Sequence, residues 1–339
     1  MQPADCGITR AINFNYKKYP FNIKEVRQAI AWALDRKTAA SVVAPEWLPQ
    51  GDVNYTVPLT IDQVEKWVPA EIREKLCHYG WEIGGNRTKA REILLSLNFT
   101  IGSDGWWYTP NGTRLEFEWI NEAEFVDVMA IAEALVDQLN DFGIKTTLRG
   151  VTFTDMYPRY MEGRWDMCLY AFGRGAAHPH PFFALYNMYA YNYPFGAGPG
   201  PSFPMEVNTT SLGYVNFTDL IFKSAEGFDV EYQKEVIGNF CLAWNELLPA
   251  IPIWHRISGN PILEDVRVTG WLPPDDPIYK NNPYVDSFVI IMMLKGILKP
   301  VVEEAPPPSP PRPPYELYAG VAVAVIVIIA VAAYALRKR

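Results

Sequence analysis

The chain has 339 residues, 49% of them hydrophobic, enough for one large core or two modest ones. Its formal net charge of −8 excludes nucleic acid as a partner, because phosphate binding needs a basic surface. Four cysteines (Cys6, Cys77, Cys168, Cys241) are too few for a disulfide scaffold and lack the Cys-x-x-Cys spacing of a metal site; any pairing stays open among three connectivities.

Met1 to Cys6 shows no basic region followed by an apolar stretch, so no signal peptide is read, and the chain is expected to belong to a longer precursor or to start upstream. Asn22 is expected to cap a first helix, with Glu25 at the capping-box position and Ile23, Val26, Ile30 and Leu34 on its buried face. Residues 45–60, rich in Pro and Gly, read as a loop, followed by short helices near 69–79 and 88–97. Trp106–Tyr108 and Leu115–Ile120 flank an Asn111-Gly112 turn and read as a hairpin. Phe125 to Phe142 is an amphipathic helix stopped by Gly143. A strand (144–148), a short helix (154–161) and a buried strand (165–172) follow. That alternation predicts crossover units and a largely parallel sheet.

Residues 173–204 read as loop with a short helix around 182–188, and 229–247 as another amphipathic helix. Ile251 to Trp254 reads as a short strand and Phe288 to Leu294 as an apolar strand. The end of the chain predicts a membrane anchor: a Pro-rich spacer over 299–317, a transmembrane helix over 318–336, and a basic tail, 337–339, on the cytoplasmic side. Tyr315, Tyr318 and Tyr334 lie where an interfacial aromatic belt would sit. Asn-x-Thr sequons at Asn54, Asn86, Asn98, Asn111, Asn208 and Asn216 are candidate glycan acceptors and agree with an extracellular ectodomain.

Several pieces together resemble the extracellular solute-binding proteins of ABC importers, the peptide- and nickel-binding family 5. They are Phe14-Asn15-x-x-Lys18-x-Pro20-Phe21-Asn22 leading into Val26-Arg27-Gln28-Ala29-Ile30 and Ala33-Leu34-Asp35-Arg36; Asp104-Gly105-Trp106-Trp107 with Pro110-Asn111-Gly112-Thr113-Arg114-Leu115; Ile131-Ala132-Glu133 through Gln138-Leu139 to Gly143-Ile144; Glu162-Gly163-x-Trp165-Asp166; and Leu247-Leu248-Pro249-x-Ile251-Pro252-Ile253. The resemblance covers about residues 10–295 and is of an archaeal type, with a C-terminal membrane anchor. It implies an α/β, type II periplasmic-binding-protein-like second lobe with an open mixed sheet, a return segment to a truncated first lobe, and one transmembrane helix. The domains it implies are a first-lobe or hinge remnant (1–21), a solute-binding lobe (22–248) and the return segment (249–298), before the spacer, helix and tail. Partners would be a peptide or sugar solute, an ABC permease, the membrane, and a separately encoded N-terminal half.

No nucleophile elbow, zinc-protease motif or phosphate loop is present, so neither an enzyme nor a cofactor is expected. Gly196 to Gly200 is a flexible turn, and Glu303 and Glu304 are solvated linker charges. His178 and His180 lack a third metal ligand and read as loop histidines, so no metal site is expected. Tyr170, Phe172 and Arg174 leave the end of a parallel strand, where open sheets place ligands, while Tyr170 and Phe172 read equally well as core. With His178, Trp254 and Arg256 they are the candidate ligand-binding residues. Trp106, Trp107 and Trp119 read as hairpin packing. The resemblance puts Gly175 where peptide-binding members carry an ammonium-binding Asp, with Arg174 nearby, which favours a neutral polyol or an anionic solute. Import of an oligopeptide or oligosaccharide is the leading function; the alternative is a glycosylated surface structural or adhesion module.

Overall fold

The computed structural model describes residues 2–43, 51–172, 180–186, 203–260, 262–273, 276–280, 287–301 and 315–337. Two compact units emerge, Met1–Ile262 with Trp271–Leu298, and Leu263–Gly270 with Lys299–Arg339. In the first unit, strand β1 (Gln2–Phe14) leads to helices α1 (Lys24–Ala33), α2 (Arg36–Ser41), α3 (Ile61–Trp67), α4 (Ala70–Arg73) and α5 (Arg87–Ser96). Strands β2 (Thr100–Ile101) and β3 (Trp107–Tyr108) precede β4 (Glu116–Glu122), α6 (Val126–Phe142), β5 (Lys145–Val151), α7 (Phe153–Glu162) and β6 (Met167–Phe172). Then come α8 (Phe182–Leu185), β7 (Glu206–Thr209), β8 (Gly213–Asn216), α9 (Phe217–Lys223), α10 (Val230–Leu247), β9 (Ala250–Asn260) and α11 (Ser287–Leu294).

Five strands form one sheet in the order β5-β4-β6-β1-β9. β4 runs parallel to β5 and β6, whereas β1 runs antiparallel to both β6 and β9. The sheet is therefore mixed, as the resemblance implied, and not the largely parallel one that the crossover pattern alone predicted. The difference is β1, for which the sequence pattern gave no strand. Alternation sends the side chains of each strand to two covered faces. Ile12 and Phe14 of β1, Trp119 of β4 and Leu169 of β6 enter a core shared with α1, α5 and α6. Ala11, Ile120 and Cys168, one step along the same strands, enter a second core with α3, α7, α9 and α10.

Local chemistry explains the main helices. Val128, Ile131, Ala132, Leu135 and Leu139 are the buried stripe of α6, and Gly143 ends it in the left-handed region at φ 97°. Asp229 caps α10 by accepting the N–H groups of Glu231 and Tyr232. Thr60 and Gln63 make a full capping box on α3. The box expected at Asn22 and Glu25 does not form: α1 starts after Ile23, without a side-chain cap. The Asn111-Gly112 turn is present, with Thr109 N–H bonded to Thr113 O at 2.8 Å, yet β3 pairs with β2 and meets the following segment through the bridge of Tyr108 with Arg114 and the Leu115 N–H bonded to Trp107 O at 2.8 Å.

Phe288 to Leu294 is helical, not a strand. A short all-apolar run has no period to read, and here it closes a helix with Phe288 and Met292 buried. The short strand expected at Ile251 to Trp254 is the start of the longer β9, which pairs along β1.

In the second unit, β10 (Val268–Thr269) pairs antiparallel with β11 (Lys299–Pro300), and α12 runs from Tyr315 to Arg337. The side chains of α12 are described without a break from Tyr318 to Tyr334 and are exposed. Among the described residues no helix is long and apolar enough to cross a membrane. Most of the Pro-rich spacer, with Glu303 and Glu304, lies outside the described residues.

Candidate functional site

Because β1 is antiparallel to both neighbours, β9 points the same way as β4, β5 and β6. The carboxyl ends of all four strands therefore reach one edge of the sheet, where open α/β sheets place their ligands. Four buried polar or charged residues gather along that edge: Arg10 on β1, Asn121 and Glu122 on β4, and His255 on β9.

Asn121 is the joint of this edge. Its Oδ1 accepts the Leu169 N–H at 3.0 Å and the Trp119 indole N–H at 2.7 Å, while its Nδ2 donates to Leu169 O at 2.6 Å and to the Glu122 carboxylate at 3.2 Å. The guanidinium of Arg10 lies 5.9 Å from the ring centre of Phe125, which leads from β4 into α6. Burial holds the Cys168 thiol far above its ordinary pKa; the Glu122 charge pushes the same way and Arg10 opposes it. Phe125 in turn meets Phe153, the first residue of α7, edge to face, with centroids 5.7 Å apart and planes at 83°.

The residues singled out in the sequence fall differently. Tyr170 is half-buried and ends a three-ring stack: it lies 5.0 Å from Tyr160, which lies 4.7 Å from Trp165. It packs on the α7–α10 face, whereas Trp254, 2% exposed, packs on the α1–α6 face. Those two rings therefore do not share a surface. Phe172 ends β6 opposite Thr9, and Arg256 stands opposite Ile8; the side chains of both lie outside the described residues, as do Arg174 and His178 entirely. His180 is described: its ring lies 4.2 Å from Trp67, its Nδ1 accepts the Phe182 N–H, and burial lowers its pKa. No cluster of three metal-ligating side chains occurs among the described residues. Cys77, Cys168 and Cys241 are free thiols.

Sequence reading missed Arg10, Asn121, Glu122, Phe125 and Phe153. For Arg10 there was no strand to place it on. For Asn121 and Glu122 a signal existed, two polar residues closing an apolar strand just before a helix. Trp107 and Trp119, both buried, do pack as expected.

Of the sequons, Asn98, Asn111 and Asn208 are exposed, and Asn54, Asn86 and Asn216 are half-buried. Asn86 and Asn216 use their side-chain oxygens to cap α5 and α9.

A sequence model for the bacterial extracellular solute-binding proteins, family 5, matches residues 4–193, more than half the chain. The chain belongs to this family. Family 5 proteins are non-enzymatic binding components of transporters that work outside the cytoplasm. No curated protein matches the chain. Among solved structures, a periplasmic oligopeptide-binding protein of Thermotoga maritima aligns at TM-score 0.65 and 18% identity, over 85% of this chain and 52% of that one. The same protein bound to mannohexaose aligns at 0.64 and 18%, over 89% and 53%. The oligopeptide-binding protein AppA of Bacillus subtilis, in complex with a nonapeptide, aligns at 0.61 and 16%, over 83% and 50%. At such identities the likeness shows the fold, and this family 5 chain spans about half the length of the structures it matches.

Proposed function

We propose that this chain supplies one lobe of a solute-binding protein, which captures an oligopeptide or an oligosaccharide outside the cell and delivers it to the permease of an ABC importer. The observation that carries the reading is the carboxyl edge of the mixed sheet, where Arg10, Asn121, Glu122 and Phe125 meet in a family 5 fold. In such proteins a ligand is gripped between two lobes that close about a hinge. The part of the fold left unmatched in the solved relatives would form the opposite wall. Two kinds of solute enter this proposal, because one relative was solved with mannohexaose and another with a nonapeptide. The loop over 173–179, with Arg174 and His178, would add contacts from the end of β6, joined by Phe172 and Arg256.

The same proposal includes an anchor. The apolar run of α12 and the basic Arg337, Lys338 and Arg339 behind it support a single span with the C-terminus in the cytoplasm. The six sequons support glycosylation of the outer part.

Titration of the chain with neutral oligosaccharides, di- to pentapeptides and nickel, followed by tryptophan fluorescence, tests the binding function. A saturable change with a saccharide or a peptide is expected; a response to nickel alone, or to none of the three, would sink it.

A further inference from the structure

The six Asn-x-Thr sequons do not stand alike in the fold. At Asn98, Asn111 and Asn208 both the asparagine and the threonine two places on (Thr100, Thr113, Thr210) are exposed. Asn111 serves its turn through Oδ1, which accepts the Thr113 N–H at 3.3 Å, and not through the amide nitrogen to which a glycan is joined. The other three sequons are engaged in the fold. Asn54 is half-buried, and its Thr56 is 0% exposed, with the hydroxyl accepting Arg36 Nη2 at 3.2 Å. Asn86 and Asn216 are half-buried helix caps that accept the Lys89 N–H at 2.9 Å and the Asp219 N–H at 3.1 Å. The Asn216 amide nitrogen also donates to the Glu206 carboxylate at 3.5 Å.

The three exposed sequons also share one end of the sheet. β2 and β3 pair with Thr100 opposite Tyr108, so Asn98 and Asn111 lie two and three residues beyond the same end of that pair. Thr113 and Arg114 then lead through Leu115 to Glu116, the first residue of β4. The Thr210 N–H bonds the Glu246 carboxylate at 2.7 Å, near the close of α10 and just before Ala250 opens β9. β4 and β9 run the same way, so both places belong to the amino edge, opposite the carboxyl edge.

We infer that Asn98, Asn111 and Asn208 carry N-linked oligosaccharides while Asn54, Asn86 and Asn216 stay bare, so that glycans sheathe the amino edge alone. This rests on the placement of the chain outside the cell and narrows the glycosylation proposed above to three residues. In each transfer the asparagine amide nitrogen bonds to C1 of a sugar carried on a lipid phosphate. The C1–O bond to the carrier breaks, the carrier phosphate leaves with the electron pair, and the amide gives up one proton to a base of the transferring enzyme. An oligosaccharide is bulky and must project into water, which the exposed sites allow. At Asn86 or Asn216 it would strain a helix cap, and at Asn54 the threonine of the sequon is locked inside the fold. The carboxyl edge stays clear for a solute.

The test is glycopeptide mass mapping of the full chain, purified from the cells that make it naturally. Glycan mass is expected on the peptides holding Asn98, Asn111 and Asn208, and unmodified peptides for the other three. Thr100→Ala, Thr113→Ala and Thr210→Ala should each remove one glycan mass from the intact chain, whereas the corresponding changes to Ser should keep it. All six threonine variants should melt with the natural chain, because these side chains are exposed. A glycan on Asn54, Asn86 or Asn216, or a bare asparagine among the other three, would overturn the assignment. Six bare sequons would strike glycosylation from the functional proposal as well and leave solute binding standing. Failure of the fluorescence titration would sink solute binding and leave the mass map, and this assignment, untouched.

Discussion

At the residue scale, the first unit relies on charged side chains placed where sequence patterns expect apolar ones. Arg27 is 2% exposed and donates to the carbonyls of Phe21, Leu247 and Leu248, with the Tyr16 ring 4.7 Å away. Arg36 is 1% exposed, donates to Pro252 O, His78 O and the Thr56 hydroxyl, and is pulled down to a pKa of about 10 by burial. Both positions were quoted in the sequence as family-like, yet their role was not legible, since a lone arginine in an amphipathic stretch reads as solvent-facing. Glu246 is a further joint, accepting Lys24 Nζ at 2.9 Å and the N–H groups of Thr210 and Ser211 at 2.7 and 3.0 Å. Burial alone would raise its pKa, but these donors outweigh it and hold the carboxyl at about 2. A carboxylate depressed in the folded state stabilises above its unfolded value, and that stability is lost as pH falls from the ordinary carboxylate range toward about 2. Glu246→Gln should therefore cost about 1–2 kcal/mol at pH 7. The melting-temperature gap to the natural chain should close in acid, and a gap of constant size down to pH 2 would show that the ionised form matters little.

At the element scale, legibility followed periodicity. α6 and α10 carry long apolar stripes at helical spacing, and their limits in the structure lie within a residue of those read from the sequence. β1 escaped because Gln2–Phe14 mixes charged, polar and apolar residues without alternation until Ala11-Ile12-Asn13-Phe14. α11 was misread because its run of apolar residues, Phe288 to Leu294, fits either element. The candidate site was legible only as a location, the strand ends; the groups that populate it come from three strands, one of them unseen in the sequence. Asn121 shows why such a group matters. β4 and β6 share just two paired positions, Trp119 with Met167 and Ile120 with Cys168, and the Asn121 side chain then extends the ladder by bonding both backbone groups of Leu169. Asn121→Ala would leave a buried N–H and a buried C=O unsatisfied, at about 2–3 kcal/mol. Hydrogen exchange should speed up first at Leu169 and its neighbours on β6. Unchanged protection there would mean that the strands hold without the side chain.

At the scale of the whole molecule, the sheet unit and α12 make separate demands. If α12 is an anchor, alkaline carbonate should leave the full chain with the membranes of cells that express it, and a chain ending at residue 301 should appear in the supernatant. Release of both chains alike would rule out a spanning helix. The seat of β1 has a consequence for synthesis. β1 leaves the ribosome well before its two neighbours, β6 and β9, and its register with β9 pairs Asn13 with Ala250. Pairing across so much intervening chain is slow, because loop closure must come before any contact rewards it. Until then the strand is an unpaired edge able to join a wrong neighbour, in the same chain or in another nascent one. A segment made before both its neighbours is thus among the last to find its place, and a cell producing this protein must keep that segment from other partners while they are translated.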